Sequence, residues 1–525
     1  MKKAKNRIVN RSLLFRNGIV RLVIVAAVLV LEGWFMVSLL LGLNAYFEYV
    51  NLILRIAAVV LAIAIYGQNK NSEMKIPWIV LIAVMPLTGT ALYIVLGLTS
   101  SAKRMRRRYE KLESELKPYL PDDTAEKNRL HEKNSRLGMI SSYLSRYSGY
   151  PLHDDSETTY FSAASTALLD QIEELKKAKK YIFMEYFAIE DANAFSRVLA
   201  VLKKKVEEGV EVRILYDDVG SISFINTRFI KKMKSYGIQC RVYNPFTPFF
   251  NWFLNYRDHR KIMVIDGKVA YTGGYNLADR YFNIVHPYGH WKDTGVRIRG
   301  RAAQNFTASF LEMWDGVRVR GKQVESRPYD FYFPPVSGDD SSEGMFVQPF
   351  VDSPIDNEQV SENLYIQIID SSVNYVYFMT PYLVISDEMK NALTLAAKRG
   401  VDVRIITPGI PDKNLVYRVT RSYYHSLVEA GIKVYEYTPG FIHAKCCVSD
   451  DVIAECGTFN MDFRSLYQCF EDGCAFYDCQ AVLDVKKDFL ETFDKCENVS
   501  DKYKKDAAPL VIAERAILRI LSPLM

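Results

Sequence analysis

The chain has 525 residues, of which 13% are aromatic and 24% charged, values that exclude a disordered protein and indicate two or three folded domains. Its net charge of +6 is too small to indicate nucleic acid as a partner by itself. The cysteines cluster between Cys446 and Cys496, with Cys240 as the exception, and include no pairing typical of a zinc site. Buried thiols in a reducing compartment are therefore the simplest interpretation.

Three hydrophobic stretches precede residue 100, at approximately Gly18 to Leu43, Val50 to Tyr66 and Ile76 to Gly97. Each approaches the roughly 20 residues that cross a bilayer, although the second is short and the third is interrupted at Met85-Pro86. A cleaved signal peptide is the alternative for the first stretch, but its apolar run is long and lacks a small-residue exit. The sequence therefore predicts a membrane-spanning region at residues 1–100.

The orientation of this region depends on two basic clusters, one before the first stretch (Lys2 to Arg16) and one after the third (Lys103 to Arg108). Three full crossings cannot place both clusters on one side. Either the third stretch dips in and returns or lies in the interface, or the first two stretches do not both cross. We favour a multi-pass cell-membrane protein with cytoplasmic catalytic domains, because both clusters then face the anionic leaflet.

Residues 101–150 are charged and rich in helix formers, which predicts a helical linker. After it, apolar strands alternate with amphipathic helices, the pattern of an α/β layer architecture. The predicted order begins with a helix at Phe161 to Lys177, a strand at Tyr181 to Phe187, a helix at Phe195 to Glu208 and a strand at Val210 to Tyr216. A loop from Arg327 to Pro349 separates two blocks, which we place at residues 151–335 and 336–525.

The second block repeats the first about 190 residues later. The sequence EGVEVRI, from Glu208 to Ile214, returns as RGVDVRI, from Arg399 to Ile405. Two copies of one unit predict a pseudo-two-fold pairing, in which equivalent motifs of the two blocks face each other.

Each block carries the same polar motif. His259, Lys261 and Asp266 occupy positions 0, +2 and +7, and His443, Lys445 and Asp450 repeat this spacing. Ten residues after each aspartate comes an asparagine, Asn276 in Gly273-Gly274-Tyr275-Asn276 and Asn460 in Gly457-Thr458-Phe459-Asn460. If Ile262 to Ile265 form a buried strand, His259 and Lys261 project from the same side of it. Chance does not produce two such copies in register.

Two facing motifs of this kind suit a phosphodiester. One neutral imidazole attacks phosphorus while a second, protonated imidazole donates to the departing alcohol, and an acceptor alcohol then reverses the roles. Lys261 and Lys445, with Asn276 and Asn460, would hold the non-bridging oxygens. Gly274 and Thr458, at matching positions, are assigned to phosphate binding with them, and glycine there permits close backbone approach. The chemistry requires no metal or other cofactor, and no carboxylate cluster suited to Mg²⁺ or Ca²⁺ is evident.

The paired motifs resemble the phospholipase D superfamily and, more narrowly, the bacterial cardiolipin synthases. The stretches that carry this likeness are Asn255 to Lys261, Tyr271 to Asn276, Thr380-Pro381-Tyr382, Phe441 to Lys445, Asn460 to Ser465, the third hydrophobic stretch and the ending Leu521-Ser522-Pro523-Leu524.

The resemblance implies two duplicated α/β sandwich domains behind an N-terminal transmembrane region. It also implies that two phosphatidylglycerol molecules become cardiolipin and glycerol through a phosphohistidine intermediate. Phosphatidylglycerol and membrane lipids are then the partners, and the oligomeric state is left open.

The resemblance also implies roles for individual residues. His259 would be the nucleophile and His443 the general acid/base, although the symmetry of the motifs permits the reverse. Asp293 and Glu471 would orient the two imidazoles. Glu471 follows Cys469-Phe470, where the family commonly has Asn-Phe. Asp266 and Asp450 complete the catalytic motifs, and we expect their carboxylates to hold the motif loops rather than touch substrate.

Three other functions compete with this prediction. Another phospholipase D-type phosphatidyltransferase or a phospholipid hydrolase would use the same groups with a different acceptor. A nuclease of the same superfamily is disfavoured by the membrane stretches and by the lack of a long basic groove signature. A non-enzymatic membrane scaffold is disfavoured because both motifs are intact.

Overall fold

The structure of the protein is a computed structural model. Two mixed β-sheets flanked by helices make up most of it. The structure describes residues 33, 47–69, 71–94, 102–225, 228–245, 256–317, 327–336, 345–504 and 509–524. The chain divides into two compact units, one with Met1–Met105, Phe246–Leu254 and Arg519–Met525, the other with Arg106–Pro245 and Asn255–Leu518. Both sheets, and both polar motifs, lie in the second unit.

The chain before residue 150 is helical where it is described. Its helices are α1 (Phe47–Tyr66), α2 (Ser72–Val84), α3 (Pro86–Leu92), α4 (Ala102–Leu116), α5 (Thr124–Lys133) and α6 (Ser135–Tyr147). The predicted interruption at Met85-Pro86 is the point where α2 ends and α3 begins. Proline fits there because the first position of a helix needs no N–H donor.

Within the first unit, α1, α2 and the residues after α3 share a small apolar core that includes Ala58, Ile65, Ile82 and Tyr93. The Lys75 ammonium of α2 donates to carbonyl oxygens at the end of α1. In the described part of the chain, no helix combines the length and the hydropathy that crossing a bilayer requires. The first predicted apolar stretch, Gly18 to Leu43, lies outside the described residues apart from Gly33.

The first half of the second unit contains a seven-stranded sheet. The helices and strands of this half are β1 (Glu157–Phe161), α7 (Ala164–Lys177), β2 (Tyr181–Tyr186), α8 (Asn193–Glu207), β3 (Glu211–Asp217), α9 (Asp218–Ser221), α10 (Phe229–Ser235), β4 (Gln239–Tyr243), β5 (Arg257–Asp258), β6 (Lys261–Ile265), β7 (Val269–Gly273), β8 (His290–Lys292), β9 (Gly295–Arg299) and α11 (Ala303–Gly316). The strand order is β1-β9-β7-β6-β2-β3-β4. Every residue of β2 is buried, as expected for a central strand covered on both faces.

The second half contains a larger sheet. The helices and strands of this half are β10 (Phe346–Asp352), α12 (Val360–Ser371), β11 (Tyr375–Met379), β12 (Leu383–Val384), α13 (Asp387–Lys398), β13 (Asp402–Pro408), α14 (Asn414–Glu429), β14 (Lys433–Tyr437), β15 (Gly440–Ile442), β16 (Cys446–Ser449), β17 (Ile453–Gly457), β18 (Met461–Asp462), α15 (Phe463–Gln468), β19 (Cys469–Tyr477), α16 (Gln480–Phe493), β20 (Cys496–Asn498), α17 (Ser500–Tyr503) and α18 (Pro509–Leu521). The strand order is β10-β19-β17-β16-β11-β13-β14-β20.

The seven strands of the first sheet match seven strands of the second in order, and the second sheet has β20 in addition. In each, the central strand pairs in parallel with a neighbour that in turn pairs in parallel with the next strand: β2 with β3 and β3 with β4 in one sheet, β11 with β13 and β13 with β14 in the other. The strand of the polar motif pairs with the central strand antiparallel on the other side. This agreement confirms the predicted α/β class and the duplication. Strands β7 and β9 pack on β17 and β19, so the two sheets face each other.

The halves also exchange short strands beside the motifs. Strand β5 pairs in parallel with β19 of the second half, and β8 pairs in parallel with β15 of the second half. Because β5 directly precedes His259 and β15 directly precedes His443, each motif histidine begins where its own half touches the other.

Two predictions about local structure are wrong. Pro349 lies inside β10 and not in a separating loop. Strand β10 pairs with β19 at the edge of its sheet, and on its other side the described residues show an isolated bridge from His153 to Val347, so a residue without an N–H is tolerated at Pro349. His259 lies between β5 and β6 and not within a strand with Lys261, because β5 is drawn away to pair with β19.

Candidate active site

The two motif histidines are anchored by backbone hydrogen bonds to the opposite half. The N–H of His259 donates to the carbonyl oxygen of Phe470 at 2.9 Å, and the N–H of His443 donates to that of Lys292 at 2.7 Å. Phe470 directly precedes Glu471 and Lys292 directly precedes Asp293. Each exchanged strand pair therefore delivers an imidazole from one half to a carboxylate from the other.

Each imidazole makes its hydrogen bond to that carboxylate through Nδ1. The distance from Nδ1 of His259 to the nearer Glu471 oxygen is 2.8 Å, and Nδ1 of His443 lies 2.7 Å from Asp293 Oδ2. Both carboxylates are completely buried. We assign the imidazole proton to Nδ1, because a carboxylate can only accept from it. The lone pair is then on Nε2 of each ring, which is the arrangement a nucleophile or a base requires.

Two buried ammonium groups accompany the histidines. Lys261 donates to the carbonyl oxygen of His259 and Lys445 to that of His443. The Lys445 ammonium is also 2.9 Å from Nδ1 of His443, but that nitrogen already carries the proton given to Asp293. Among the described residues neither lysine has a carboxylate within 4.0 Å. Neither lysine is therefore held in an ion pair, and both are available to bind an anion.

The protonation states of the site's own groups follow from burial and from these cations. Burial, and then the charges of Lys261 and Lys445, hold the pKa of His259 well below its ordinary value. Burial and Lys445 lower the pKa of His443 to about 3, against the opposing effect of Asp293. Burial, with the charge of Lys261 adding to it, lowers the pKa of Lys445 to about 7. Both imidazoles are neutral near pH 7, and a bound anion would stabilise every positive charge in the site.

The matching family model is described as cardiolipin synthase, phospholipase D-like domain, and it covers residues 171–314 and 365–493, one segment in each half. The chain belongs to the cardiolipin synthase family. A second family model, the phospholipase D-nuclease N-terminal region, matches residues 56–97.

Relatives of the chain in the cardiolipin synthase family match over most of their length. A cardiolipin synthase of Clostridium perfringens is 32% identical over 87% of this chain and 95% of its own. An uncharacterized protein of Streptococcus mutans is 38% identical over 87% of this chain and 98% of its own. The crystal structure of phosphatidylserine synthase from Haemophilus influenzae has a TM-score of 0.56 at 14% identity, covering 74% of this chain and 100% of that one, which indicates a shared fold.

Two residues that the sequence assigns to phosphate binding, Thr458 and Asn276, make positioning contacts within this member of the cardiolipin synthase family. The Thr458 hydroxyl donates to Glu471 at 2.5 Å and accepts from the Asp472 N–H at 2.9 Å, so its hydrogen bonds are already used. The Asn276 amide accepts from the Ala188 N–H and donates to the Tyr281 hydroxyl. Each side chain therefore holds a neighbour of a histidine, and a phosphate contact by either residue stays a prediction.

The other two assigned residues differ from each other. A Cβ at Gly274 would lie 2.1 Å from Asp293 Oδ1 and 2.9 Å from the carbonyl oxygen of His443, so glycine is needed to seat the Asp293 carboxylate. Asn460 is buried, and its Oδ1 has no donor among the described residues. Among the four residues assigned to phosphate binding, Asn460 has a side-chain oxygen that can still accept a hydrogen bond from a substrate group.

Gly274→Ala should lower kcat about 10²-fold, because the added methyl displaces Asp293 from His443 and small misplacements carry losses of this size. Thermal unfolding should show a folded protein. The matched control is Gly67→Ala, where the new methyl meets nothing closer than 3.5 Å. Equal kcat values for the two variants would contradict the seating role of Gly274.

Asp266 and Asp450 lie away from the reacting groups. Asp266 accepts hydrogen bonds from the N–H groups of residues 179–181, and Asp450 accepts the equivalent bonds from residues 373–375. Both residues have positive φ values, 56° and 52°, and each sits at the turn after its motif strand. They fasten the turn to the start of the central strand, so they belong to the frame of the site rather than to the catalytic set.

Several residues of the site escaped sequence reasoning. Asp472 accepts from the Lys261 N–H and from the Thr272 hydroxyl, and its only signal in the sequence was its position beside Glu471. Aromatic rings line both imidazoles: Phe187 lies 5.0 Å from His259, and Tyr281 and Trp291 lie 5.2 and 5.3 Å from His443. Trp291 could have been suspected from its closeness to Asp293, whereas nothing in the sequence singled out Phe187 or Tyr281.

Proposed function

We propose that the protein is a cardiolipin synthase, which transfers a phosphatidyl group from one phosphatidylglycerol to another and releases glycerol. The observation that carries this proposal is the pair of crossed histidine–carboxylate contacts with two unpaired ammonium groups beside them, in a chain of the cardiolipin synthase family. Phospholipids, phosphatidylglycerol first among them, are the substrates. Nucleic acid is not expected as a partner.

In the first half-reaction, Nε2 of His259 attacks phosphorus, and the bond from phosphorus to the glycerol oxygen breaks. His443 gives its proton to that oxygen, so that glycerol leaves as a neutral alcohol. In the second half-reaction, a hydroxyl of another phosphatidylglycerol gives its proton to His443 and attacks phosphorus, and the bond to His259 breaks. Lys261 and Lys445 stabilise the charge on the non-bridging oxygens in both steps.

The carboxylates support this division of roles between the histidines. His443 and Lys445 hold the pKa of Asp293 below its usual value, so an ionised Asp293 can stabilise an imidazolium at His443. Burial raises the pKa of Glu471 to about 7, and the Ser465 and Thr458 hydroxyls share its charge. The imidazole beside Glu471 is therefore less readily protonated, which suits the nucleophile.

His443 must be protonated for the first half-reaction, although the protein's own groups keep it neutral near pH 7. The phosphodiester brings a negative charge next to both imidazoles, and this charge raises their pKa values. Binding of the substrate thus favours protonation of His443, and this proton is the one that the departing glycerol requires.

We assign residues 1–100 to a membrane region, 101–150 to a helical linker, and 151–335 and 336–525 to two phospholipase D-like domains. Support for lipid contact by the first region comes from the exposed apolar side chains of α1, which include Leu52, Ile53, Ile56, Val59, Val60 and Ile63. A multi-pass cell-membrane location with cytoplasmic catalytic domains would keep both basic clusters beside the anionic leaflet.

The deciding experiment supplies the purified full chain in detergent with phosphatidylglycerol alone. Cardiolipin and glycerol should appear in equal amounts, and a variant with both His259→Ala and His443→Ala should form neither. Phosphatidic acid as the lipid product, with no cardiolipin, would replace the proposal with a hydrolase.

The pH dependence of kcat/KM should reveal Lys445. Its ammonium is needed to bind the phosphodiester, and its pKa in the free enzyme is lowered to about 7. The value of kcat/KM should therefore fall as the pH rises through this range, far below the ordinary range of lysine. A bound phosphodiester raises the pKa of the ammonium, so the limb in kcat should lie at higher pH. A kcat/KM that stays constant up to pH 9 would contradict the role of Lys445.

A further inference from the structure

Arg280 lies beside the site without an acidic partner. It belongs to the short 3-10 helix Asp279–Phe282, and among the described residues its side chain has neither a hydrogen bond nor a carboxylate within 4.0 Å. The adjacent Asp279 is occupied by the N–H of Ala194 and the amide of Asn193. A half-buried guanidinium with its charge uncompensated is a ready site for an anion.

Aromatic rings connect Arg280 to His443. The guanidinium carbon lies 4.7 Å from the centre of the Phe224 ring, 5.7 Å from that of Tyr281 and 5.9 Å from that of Trp291. The last two rings are the ones that pack against the imidazole of His443. One layer of aromatic rings, those of Tyr281 and Trp291, therefore lies between the guanidinium and the imidazole of His443. In the proposed reaction this imidazole takes the proton of the acceptor alcohol.

The surroundings of Arg280 are apolar and exposed. Ile222 next to Phe224 is 55% exposed, and Ile284 and Val285, which follow the 3-10 helix, are 38% and 48% exposed. A cation among exposed aliphatic side chains matches the boundary between the headgroup and the acyl chains of a phospholipid. A water-soluble anion would need no such surface.

Other charged residues near these aromatic rings include Lys413, Asp412 and Asp293. Lys413, which is exposed, lies 5.3 Å from the Tyr382 ring and helps to depress the pKa of His259. The carboxylate of Asp412, the residue before Lys413, accepts a hydrogen bond from the Tyr382 hydroxyl at 2.6 Å. Asp293 is engaged with His443. Among the described residues, Arg280 is thus a cation near His443 that no carboxylate pairs with, in addition to Lys445 of the motif.

We infer that Arg280 binds the phosphodiester of the acceptor phospholipid during the second half-reaction, an inference that rests on the proposed function. Lys261 and Lys445 are occupied by the reacting phosphoryl group, so the acceptor's own phosphate needs another cation. Three carbons separate its attacking hydroxyl from that phosphate, a reach of about 6 Å at ordinary bond lengths. A hydroxyl at His443 then places the phosphate near Arg280. Water or free glycerol as acceptor carries no phosphate and gains nothing from this residue.

The test compares an anionic acceptor with a neutral one on the same enzyme. Purified full chain receives phosphatidylglycerol and radiolabelled free glycerol, and cardiolipin formation is measured together with exchange of label into phosphatidylglycerol. Both outcomes pass through the same phosphohistidine, so exchange is the internal reference. For Arg280→Gln the ratio of cardiolipin to exchange should fall about 10- to 100-fold, the range for a lost charge-assisted hydrogen bond.

Two further variants complete the design. Arg280→Lys should recover part of the ratio, because it keeps the charge without the fork of donors. Arg197→Gln, on the exposed face of α8, makes the same change of charge elsewhere and should keep the wild-type ratio. A ratio in Arg280→Gln equal to the wild type, or a parallel fall of both activities, would overturn the inference while leaving the synthase proposal intact. Absence of cardiolipin from the wild type would instead refute the proposed function.

Discussion

Replacing His259 with alanine should abolish attack on every donor, whereas replacing His443 with alanine should spare attack on a donor whose leaving group needs no proton. Loss of the nucleophile should lower turnover of phosphatidylglycerol by at least about 10⁴-fold. Loss of the general acid should lower it by about 10² to 10⁴-fold. The two losses overlap, so turnover alone does not distinguish the histidines.

A phosphatidyl ester of p-nitrophenol separates them, because this phenol leaves as a stable anion. His443→Ala should release one equivalent of p-nitrophenol in a burst and then stop, since no base remains to activate the acceptor. Mass spectrometry should find the phosphatidyl group on His259. His259→Ala should give no burst and no adduct.

The double variant measures background release. A burst in His259→Ala with an adduct on His443 would reverse the two roles, as the symmetry of the motifs permits. No burst in either single variant would contradict a covalent intermediate.

Asp293→Asn and Glu471→Gln should each lower kcat by about 10³ to 10⁴-fold, the loss expected when a neighbouring amide favours the wrong tautomer. An amide can donate to Nδ1 of the imidazole, and the ring proton then moves to Nε2, where the reacting lone pair is needed. The folded state should survive, since the amides are nearly isosteric with the carboxylates. Circular dichroism and thermal unfolding check this point.

The pattern between these two variants is more informative than the size of the loss. Asp293→Asn should behave like His443→Ala in the p-nitrophenol assay and keep a burst, although Asp293 lies in the first half of the chain. Glu471→Gln should behave like His259→Ala and lose the burst. Asp170→Asn, which breaks an ion pair with Arg297 within the first half, is the matched control. If Asp293→Asn instead behaved like His259→Ala, and Glu471→Gln like His443→Ala, the result would contradict the crossed contacts.

Local patterns were sufficient to predict much of the fold. The strand predicted from Val210 to Tyr216 is β3, and the helix predicted from Phe195 to Glu208 is α8, each within two residues at either end. Such elements follow from side-chain periodicity, which neighbouring residues alone determine. Pro349 was misassigned because edge position, which is a property of the whole sheet, decides whether a proline can enter a strand.

The candidate site likewise contains residues that the sequence identified and contacts that only the structure shows. The repeated spacing identified His259, Lys261, His443 and Lys445, and the structure places all four at the junction of the two halves. For Thr458 and Asn276 a phosphate contact was predicted, but their hydrogen bonds go to Glu471, Ala188 and Tyr281. Which polar neighbour satisfies a buried side chain depends on the packing around it.

The sequence by itself determined the α/β class, the duplication and the residue types of the reacting groups, because repeated spacing and periodicity are properties of the chain. Only the tertiary structure decided which carboxylate serves which histidine and which cation stays unpaired. The pairing of β5 with β19 and of β8 with β15 joins segments that are more than a hundred residues apart. Contacts over such separations form when the two sheets pack together, and no local pattern encodes them.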